Sequence, residues 1–253
     1  MRERGTYDQV LGDVFQLARG PAFVTRSLQK SKIAVTEKAS DETPVVHIVD
    51  DDDSLRRGLD SLLRSVGLTV QTYSSTREFL NADKLDGPGC LVLDIRLPGA
   101  NGLDFQEELA GLGISLPVVL MTGHGDIPMC VRAMKAGAVD FLPKPFRDQD
   151  MIDAVTAAIN RDGLRRASEN RAVAVVDHYA SLSPREREVM ALVTAGKMNK
   201  QIAAELGLSE VTVKIHRGAA MRKMGARSLA DLVRMADVLK NRTQGGLSHQ
   251  RRA

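Results

Sequence analysis

The amino-acid sequence predicts an α/β domain, a five-stranded parallel doubly wound sheet, followed by a small all-α domain of four helices. Three observations predict this. From Pro44 onward short apolar runs alternate with amphipathic segments; beyond residue 180 only helical periodicity remains; and charge divides the chain in the same place. Residues 44–162 carry 18 acidic and 11 basic side chains, whereas 163–253 carry 17 basic and 8 acidic, and 1–43 are nearly balanced with 7 basic and 6 acidic. An acidic domain attracts metal ions or basic partners, and a basic one attracts polyanions, DNA or RNA first. The alternative is that both are merely solvated surface.

Residues 1–43 show one weak helical pattern (Val10, Leu11, Val14, Phe15, Ala18) stopped by Gly20 and Pro21, and read as a poorly ordered extension. Met1 to Gly20 lacks an apolar run before a small-residue cleavage site, so no secretory leader is expected. The runs Val45 to Val49, Leu68 to Tyr73, Cys90 to Ile95, Val118 to Met121 and Val139 to Leu142 have the length and apolarity of buried strands. Between them, Leu55, Leu59, Leu62, Leu63 and Val66 recur at helical spacing up to Gly67. Further helices fit Thr76 to Ala82, Leu103 to Leu112, Asp126 to Gly137, and Phe146 to at least Asn160. Residues 163–179 carry no clear motif, and either link two domains or continue the preceding helix. Ser183, Pro184 and Glu186 form an N-cap, N1 and N3 set for a helix to about Ala195. Asn199 to Leu206, Glu210 to Met224 behind Ser209, and Ser228 to Leu239 complete a domain over 180–241, with 242–253 a flexible basic tail.

Composition is that of an ordinary globular protein, 43% apolar and 26% charged. Cys90 and Cys130 have no close Cys or His partner, which argues against disulfides and structural zinc and fits a reducing compartment. The longest uncharged stretch, Ala110 to Gly125, is broken by glycine and proline and is too short to span a bilayer, so no membrane partner is expected.

Open parallel sheets bind ligands at the carboxyl ends of their strands. The first strand ends in Asp50, Asp51, Asp52 and Asp53, the third at Asp94, the fourth at Thr122, and Lys144 follows the fifth. Crowded carboxylates repel unless a hard divalent cation lies among them, and oxygen ligation by a few carboxylates and water suits Mg²⁺. A carboxylate attacking a dianionic phosphoryl group needs such a cation, and an ammonium, to offset charge on the transferring oxygens.

The segments VHIVDDDDSLRRGL, LVLDIRLPGANGLDF, VVLMTGHGD and KAGAVDFLPKPF resemble, in order and spacing, the flavodoxin-like receiver domain of two-component response regulators, closest to the nitrogen-fixation type. The resemblance covers about 44–162. It implies that Asp94 accepts a phosphoryl group from a sensor histidine kinase. Asp51, Asp94 and the Arg96 carbonyl would ligate Mg²⁺, with Asp50 acting through water. Thr122 would hydrogen-bond the acyl phosphate, Lys144 would pair with it, and Lys144-Pro145 would be cis. Phe141 is either the aromatic that follows Thr122 in switching or an ordinary core side chain.

Asn199–Leu206 and Glu210–Met224 around LGLS have the proportions of a helix-turn-helix, with Ile202, Leu206, Leu208, Val211, Ile215 and Met221 directed inward and Thr212, Lys214, Arg217 and Arg222 on polar faces. The stretch LSPREREVMALVTAGKMNKQIAAELGLSEVTVKIHRGAAMRKMGARSLADLV resembles the DNA-binding domain of LuxR-type regulators. That likeness implies promoter DNA contacts at or near Ser209, Thr212, Val213, Lys214, His216 and Arg217, with Asn199 and Lys200 near phosphates. It departs at Gly218, where relatives carry a long polar side chain. His216 is alternatively a buried, hydrogen-bonded residue; His47 reads as structural, and His124 borders the Thr122 loop. The two resemblances together imply a bacterial, cytoplasmic transcription regulator, not a turnover enzyme, with RNA polymerase a further partner. The surface from Asp126 to Leu142, with Met129, Val131, Met134 and Val139, offers an apolar patch through which the phosphorylated receiver would dimerise, the alternative being release of an inhibitory contact between the two domains. Two other readings remain: a phosphate-independent receiver-fold regulator, and an aspartyl-phosphate phosphohydrolase with Asp50, Asp52 and Ser54 as a D-x-D-x-S motif.

Overall fold

The computed structural model describes residues 43–82, 85, 87–123 and 127–249, the last seven as backbone alone. The expected N-terminal extension, His124, Asp126 and residues 250–253 lie outside the described residues. Two compact units are present, one ending at Ser168 and the other beginning at Glu169.

The first unit runs β1 (Val45–Val49), α1 (Asp53–Ser65), β2 (Thr69–Tyr73), α2 (Thr76–Leu80), β3 (Gly89–Asp94), β4 (Arg96–Leu97), β5 (Ala100–Asn101), α3 (Gly102–Leu109), β6 (Val118–Thr122), α4 (Ile127–Lys135) and β7 (Asp140–Pro143). Helix α5, Asp148–Ala180, begins in this unit and ends in the next. Five strands form a parallel sheet in the order β2-β1-β3-β6-β7, and β4 pairs with β5 as a short antiparallel ribbon. The chain steps outward from β1 to β2 and then crosses to the other side at β3, so the switch point of the topology lies between β1 and β3.

Alternation along each strand sends side chains to opposite faces. Val46, Ile48, Cys90, Val92, Val119 and Met121 pack against Leu59 and Leu63 of α1 and Met151, Val155 and Ala158 of α5. Val49, Leu91, Leu93, Val118 and Leu120 pack against Phe79, Phe105, Leu109 and Ala133 from α2, α3 and α4. Helix α3 is shorter than its periodicity predicts: a last turn reaches Leu112 through its N–H to Glu108, and Gly113, at φ +77°, ends it.

Residues 163–179 are helical within α5, the continuation that the sequence allowed beside a linker. The local reason is Asp162. Its buried carboxylate accepts from the Gly89 N–H (3.1 Å), Arg165 (2.6 Å) and Arg166 (2.6 Å), and Arg166 also donates to the Gly87 carbonyl. This network spans the position where Gly163 would otherwise weaken the helix.

The second unit contains α6 (Pro184–Thr194), α7 (Asn199–Leu206), α8 (Glu210–Met224) and α9 (Leu229–His249). Ser183 and Glu186 form the expected capping box, Gly207 ends α7 in the left-handed region, and Ser209 caps α8 through the Thr212 N–H. Val189, Met190, Val193, Ile202, Val213, Ala220, Met224 and Leu232 make its core. Lys223 of α8 ties α6 by a 2.6 Å bond to Glu186. The expected flexible tail is corrected in part, because residues 242–249 continue α9. Once a helix is nucleated each added residue gains a hydrogen bond, and no proline interrupts it up to His249.

Candidate functional site

Register alone brings the carboxylates together. Val49 lies opposite Leu93 in the parallel β1–β3 pair, so Asp50 and Asp94 emerge side by side at the switch point. Asp94 in turn lies opposite Met121, and Thr122 lies opposite Pro143, which places Lys144 at the same end of the sheet. The Lys144 Nζ donates to Asp50 Oδ2 at 2.7 Å and to Asp94 Oδ2 at 3.0 Å. Its own N–H donates to the Thr122 carbonyl at 2.7 Å, and the Lys144-Pro145 peptide is cis. Asp50 and Thr122 are fully buried, Asp94 nearly so, and Asp51 is exposed.

Carboxylate oxygens of Asp50, Asp51 and Asp94 lie within 4.8 Å of one another. Burial pushes Asp50 upward, against the hydrogen bond and charge of Lys144 and the Asp52 N–H. Burial works against charged Lys144 too, but its bonds to Asp50 and Asp94 outweigh that and hold it above the usual lysine value. Asp94 Oδ1 also accepts the Arg96 N–H at 3.3 Å, which turns the chain into the β4–β5 ribbon. Asp52, by contrast, caps α1 by accepting from Ser54 and Leu55 at 2.8 and 3.1 Å. The phosphohydrolase reading, which needs Asp52 as a working acid, therefore meets a helix cap instead. Phe141 is half-buried against the face that carries Phe79 and Phe105.

Gly102 belongs to this site and was not singled out in the sequence. A Cβ there would stand 2.3 Å from the Asp94 carbonyl oxygen and 2.9 Å from the Ile95 Cα. The α3 start packs directly on the backbone of the Asp94 turn, with the Gly102 N–H donating to Ile95 at 2.8 Å. The only sequence signal was a glycine immediately after the capping Asn101.

In the second unit Lys200, Ser209 and Lys214 are exposed, and Asn199, Thr212, His216 and Arg217 are half-buried. Arg217 donates to the Asn199 Oδ1 at 3.2 Å, tying α8 to the start of α7. Val213 is corrected: it is wholly buried in the core and has no surface to offer DNA. The inward placement of Val211 and Ile215 is corrected too, since they are 66% and 64% exposed. Val211, Val213 and Ile215 alternate two apart, and a helix turning 100° per residue cannot bury all three. Ala220 and Met224, on the Val213 side, decide which one goes in.

Residues 46–156 match the response regulator receiver domain, and residues 180–236 match the luxR family of bacterial regulatory proteins. Nodulation protein W of Bradyrhizobium diazoefficiens is 58% identical over 195 residues, covering 77% of this chain and 86% of that one. The chain belongs to the two-component transcriptional response regulators. Response regulator protein TodT of Pseudomonas putida is 46% identical over 80% of this chain and 89% of its own. The regulatory protein FixJ of Azorhizobium caulinodans is 45% identical over 77% and 92%. Among solved structures, response regulator StyR superposes with a TM-score of 0.68 at 46% identity, covering 78% of this chain and 99% of that one.

Membership in these regulators brings a histidine kinase partner for the receiver and DNA for the helical domain, and the family consists of transcription regulators, not enzymes. Receivers of this family bind Mg²⁺ in an acidic pocket, and the all-oxygen donor set of Asp50, Asp51 and Asp94 fits a hard cation. No helix among the described residues is long and apolar enough to cross a membrane.

Proposed function

We propose that this response regulator is switched by phosphorylation of Asp94 and that its switched form dimerises and binds promoter DNA from the cytoplasm of a bacterium. The observation that carries it is Lys144 Nζ within 3.0 Å of both Asp94 and Asp50, three residues at the ends of three different strands of one sheet. Each carboxylate accepts one bond on each oxygen, but Asp94 is the acceptor because its side chain keeps 9% exposure and its Arg96 N–H bond is long at 3.3 Å, whereas the Asp50 side chain is wholly buried.

Asp51 and Asp94, the Arg96 carbonyl, and Asp50 through water would hold Mg²⁺, which supplies charge neutralisation on the transferring oxygens. Lys144 is held protonated by its two carboxylates and offers the same stabilisation from the protein side. Transfer moves the phosphoryl group from the kinase histidine to an Asp94 oxygen; Lys144 exchanges a carboxylate for a phosphoryl oxygen, and the Thr122 hydroxyl donates to another. The movement passes along β6 and β7 to Phe141 and α4. There Ile127, Val131 and Met134 are exposed, while Met129 and Val139 pack on the core. An apolar patch of this kind suits a two-fold contact. A dimer makes DNA binding bivalent, with Lys200 and Asn199 at phosphates and Thr212, Lys214, His216 and Arg217 along the groove, and brings RNA polymerase within reach as a further partner.

Incubation of the full chain with acetyl phosphate and Mg²⁺, followed by intact mass, tests the acceptor. One phosphoryl adduct is expected on the native chain and none on Asp94→Asn, because an amide is a poor nucleophile. Undiminished labelling of that variant would overturn the assignment, and steady phosphate release with turnover would favour the hydrolase reading.

A further inference from the structure

The outward stripe of α8 is apolar where a helix of a basic domain would ordinarily be polar. Val211 and Ile215, four residues apart, stand on one side, opposite the buried Val213, Ala220 and Met224. Gly218 and Arg222 continue the same stripe, and the exposed Lys214 flanks it. A Cβ built on Gly218 meets only the Arg222 guanidinium, 3.5 Å away, so the middle of the stripe is half-buried backbone covered by one flexible cationic side chain. Whatever covers this stripe must offer small apolar groups bordered by anions, because the exposed Lys214 flanks it and the exposed Arg222 continues it. The major groove of duplex DNA has that character. The thymine 5-methyl is the apolar group on its base edges, and phosphates line both walls. Gly218 adds a further fit, since a bare helix surface lets the axis sit closer to the base edges.

We propose that Val211 and Ile215 read thymine methyl groups, so that the target sequence carries thymine under each of these side chains. This rests on the reading of α8 as the groove-entering helix. The contact is apolar, so its contribution comes from removing the methyl and the two side chains from water. That sets a scale of about fourfold in affinity per methyl.

The full-length protein, phosphorylated with acetyl phosphate and Mg²⁺, selects duplexes from a random-sequence library. The enriched duplex is then remade with deoxyuridine in place of each thymidine in turn, which removes one methyl and keeps base pairing and groove acceptors unchanged. About fourfold weaker binding is expected at one or two positions of each half-site. Val211→Ala and Ile215→Ala should each abolish the sensitivity at their own position, while Lys214→Ala weakens the thymine and uracil duplexes alike. Equal binding of every uracil duplex, or sensitivity that persists in the Val211→Ala, Ile215→Ala double variant, overturns the methyl readout and leaves the DNA-binding reading standing. Enrichment of no duplex at all overturns both.

Discussion

His47 and Gly102 show how single residues support the receiver site from beneath it. His47 lies on β1, three residues before Asp50, stacked on Tyr73 with its Nδ1 3.1 Å from the Tyr73 hydroxyl. Burial lowers its pKa from 6.5 to about 4. Below pH 6.5 the unfolded chain takes up a proton that the folded chain refuses, so stability falls as the pH drops from 6.5 toward 4 and levels off below that. The loss is about 3 kcal/mol over the interval. Thermal melts of native protein and His47→Asn at pH 7 and pH 5 check this: the drop in Tm on acidification should be smaller in the variant. An equal drop in both would mean that His47 charges as easily folded as unfolded. Gly102→Ala places a methyl 2.3 Å from the Asp94 carbonyl, a backbone atom that cannot step aside alone. Displacing the acceptor by a fraction of an ångström is expected to slow phosphorylation by acetyl phosphate roughly 10²-fold. The control is Gly58→Ala on α1, where the new methyl meets nothing within 4 Å; it should label normally and gain about 1 kcal/mol of stability.

At the scale of elements, α5 and α8 are each governed by one buried residue. Asp162 holds the middle of α5 to the edge of β3 through Gly89, and pairs with both Arg165 and Arg166. Asp162→Ala takes one partner from each of these partly exposed cations and removes the buried acceptor of the Gly89 N–H. A loss of about 3 kcal/mol is expected by denaturant unfolding, because breaking one side of a buried ion pair costs more than the pair contributes. Hydrogen exchange should show the helix fraying from residue 163 onward. On α8, Val213 is core and not contact surface. Val213→Ala should therefore lower the melting of the second unit, by roughly 1–3 kcal/mol, without changing which duplex the protein prefers. A change in preferred sequence at unchanged stability would return Val213 to the DNA surface.

For the molecule as a whole, an acidic first unit and a basic second unit answer to two different anions: the phosphoryl group, which on the proposal above is drawn to Asp94 against a carboxylate field, and the DNA backbone. Phosphoprotein is expected to sediment as a dimer at concentrations where Asp94→Asn remains a monomer. Val131→Asp, which places a charge on the exposed face of α4, should keep the phosphoprotein monomeric and lose the bivalent gain in DNA affinity. A phosphoprotein that stays monomeric while its DNA affinity rises would replace dimerisation with release of an inhibitory contact. Affinity in either state should fall steeply with salt, with a slope set by the number of phosphates engaged.

The alternation of strands and helices, the acidic ends of β1 and β3, and the capped helices of the second unit were legible because they rest on local rules: period, capping and turn chemistry act within a few residues. Asp94, Asp51, Thr122 and Lys144 could be placed at one end of the sheet from strand ends alone. What lay beyond the sequence was every choice between equivalent local solutions. Val211, Val213 and Ile215 offer a helix three apolar side chains of nearly equal merit, and only packing against the facing helices selects Val213 for the core. Asp162-Gly163 reads locally as a break, yet Gly89, 73 residues away, supplies the hydrogen bond that turns it into the middle of a helix. Gly102 is an ordinary helix-start glycine until the Asp94 carbonyl is found against it. The sequence by itself determined which elements form and which charges sit at their ends; the tertiary structure alone decided which side chain faces inward and which backbone touches which, because those depend on atoms that only folding brings within reach.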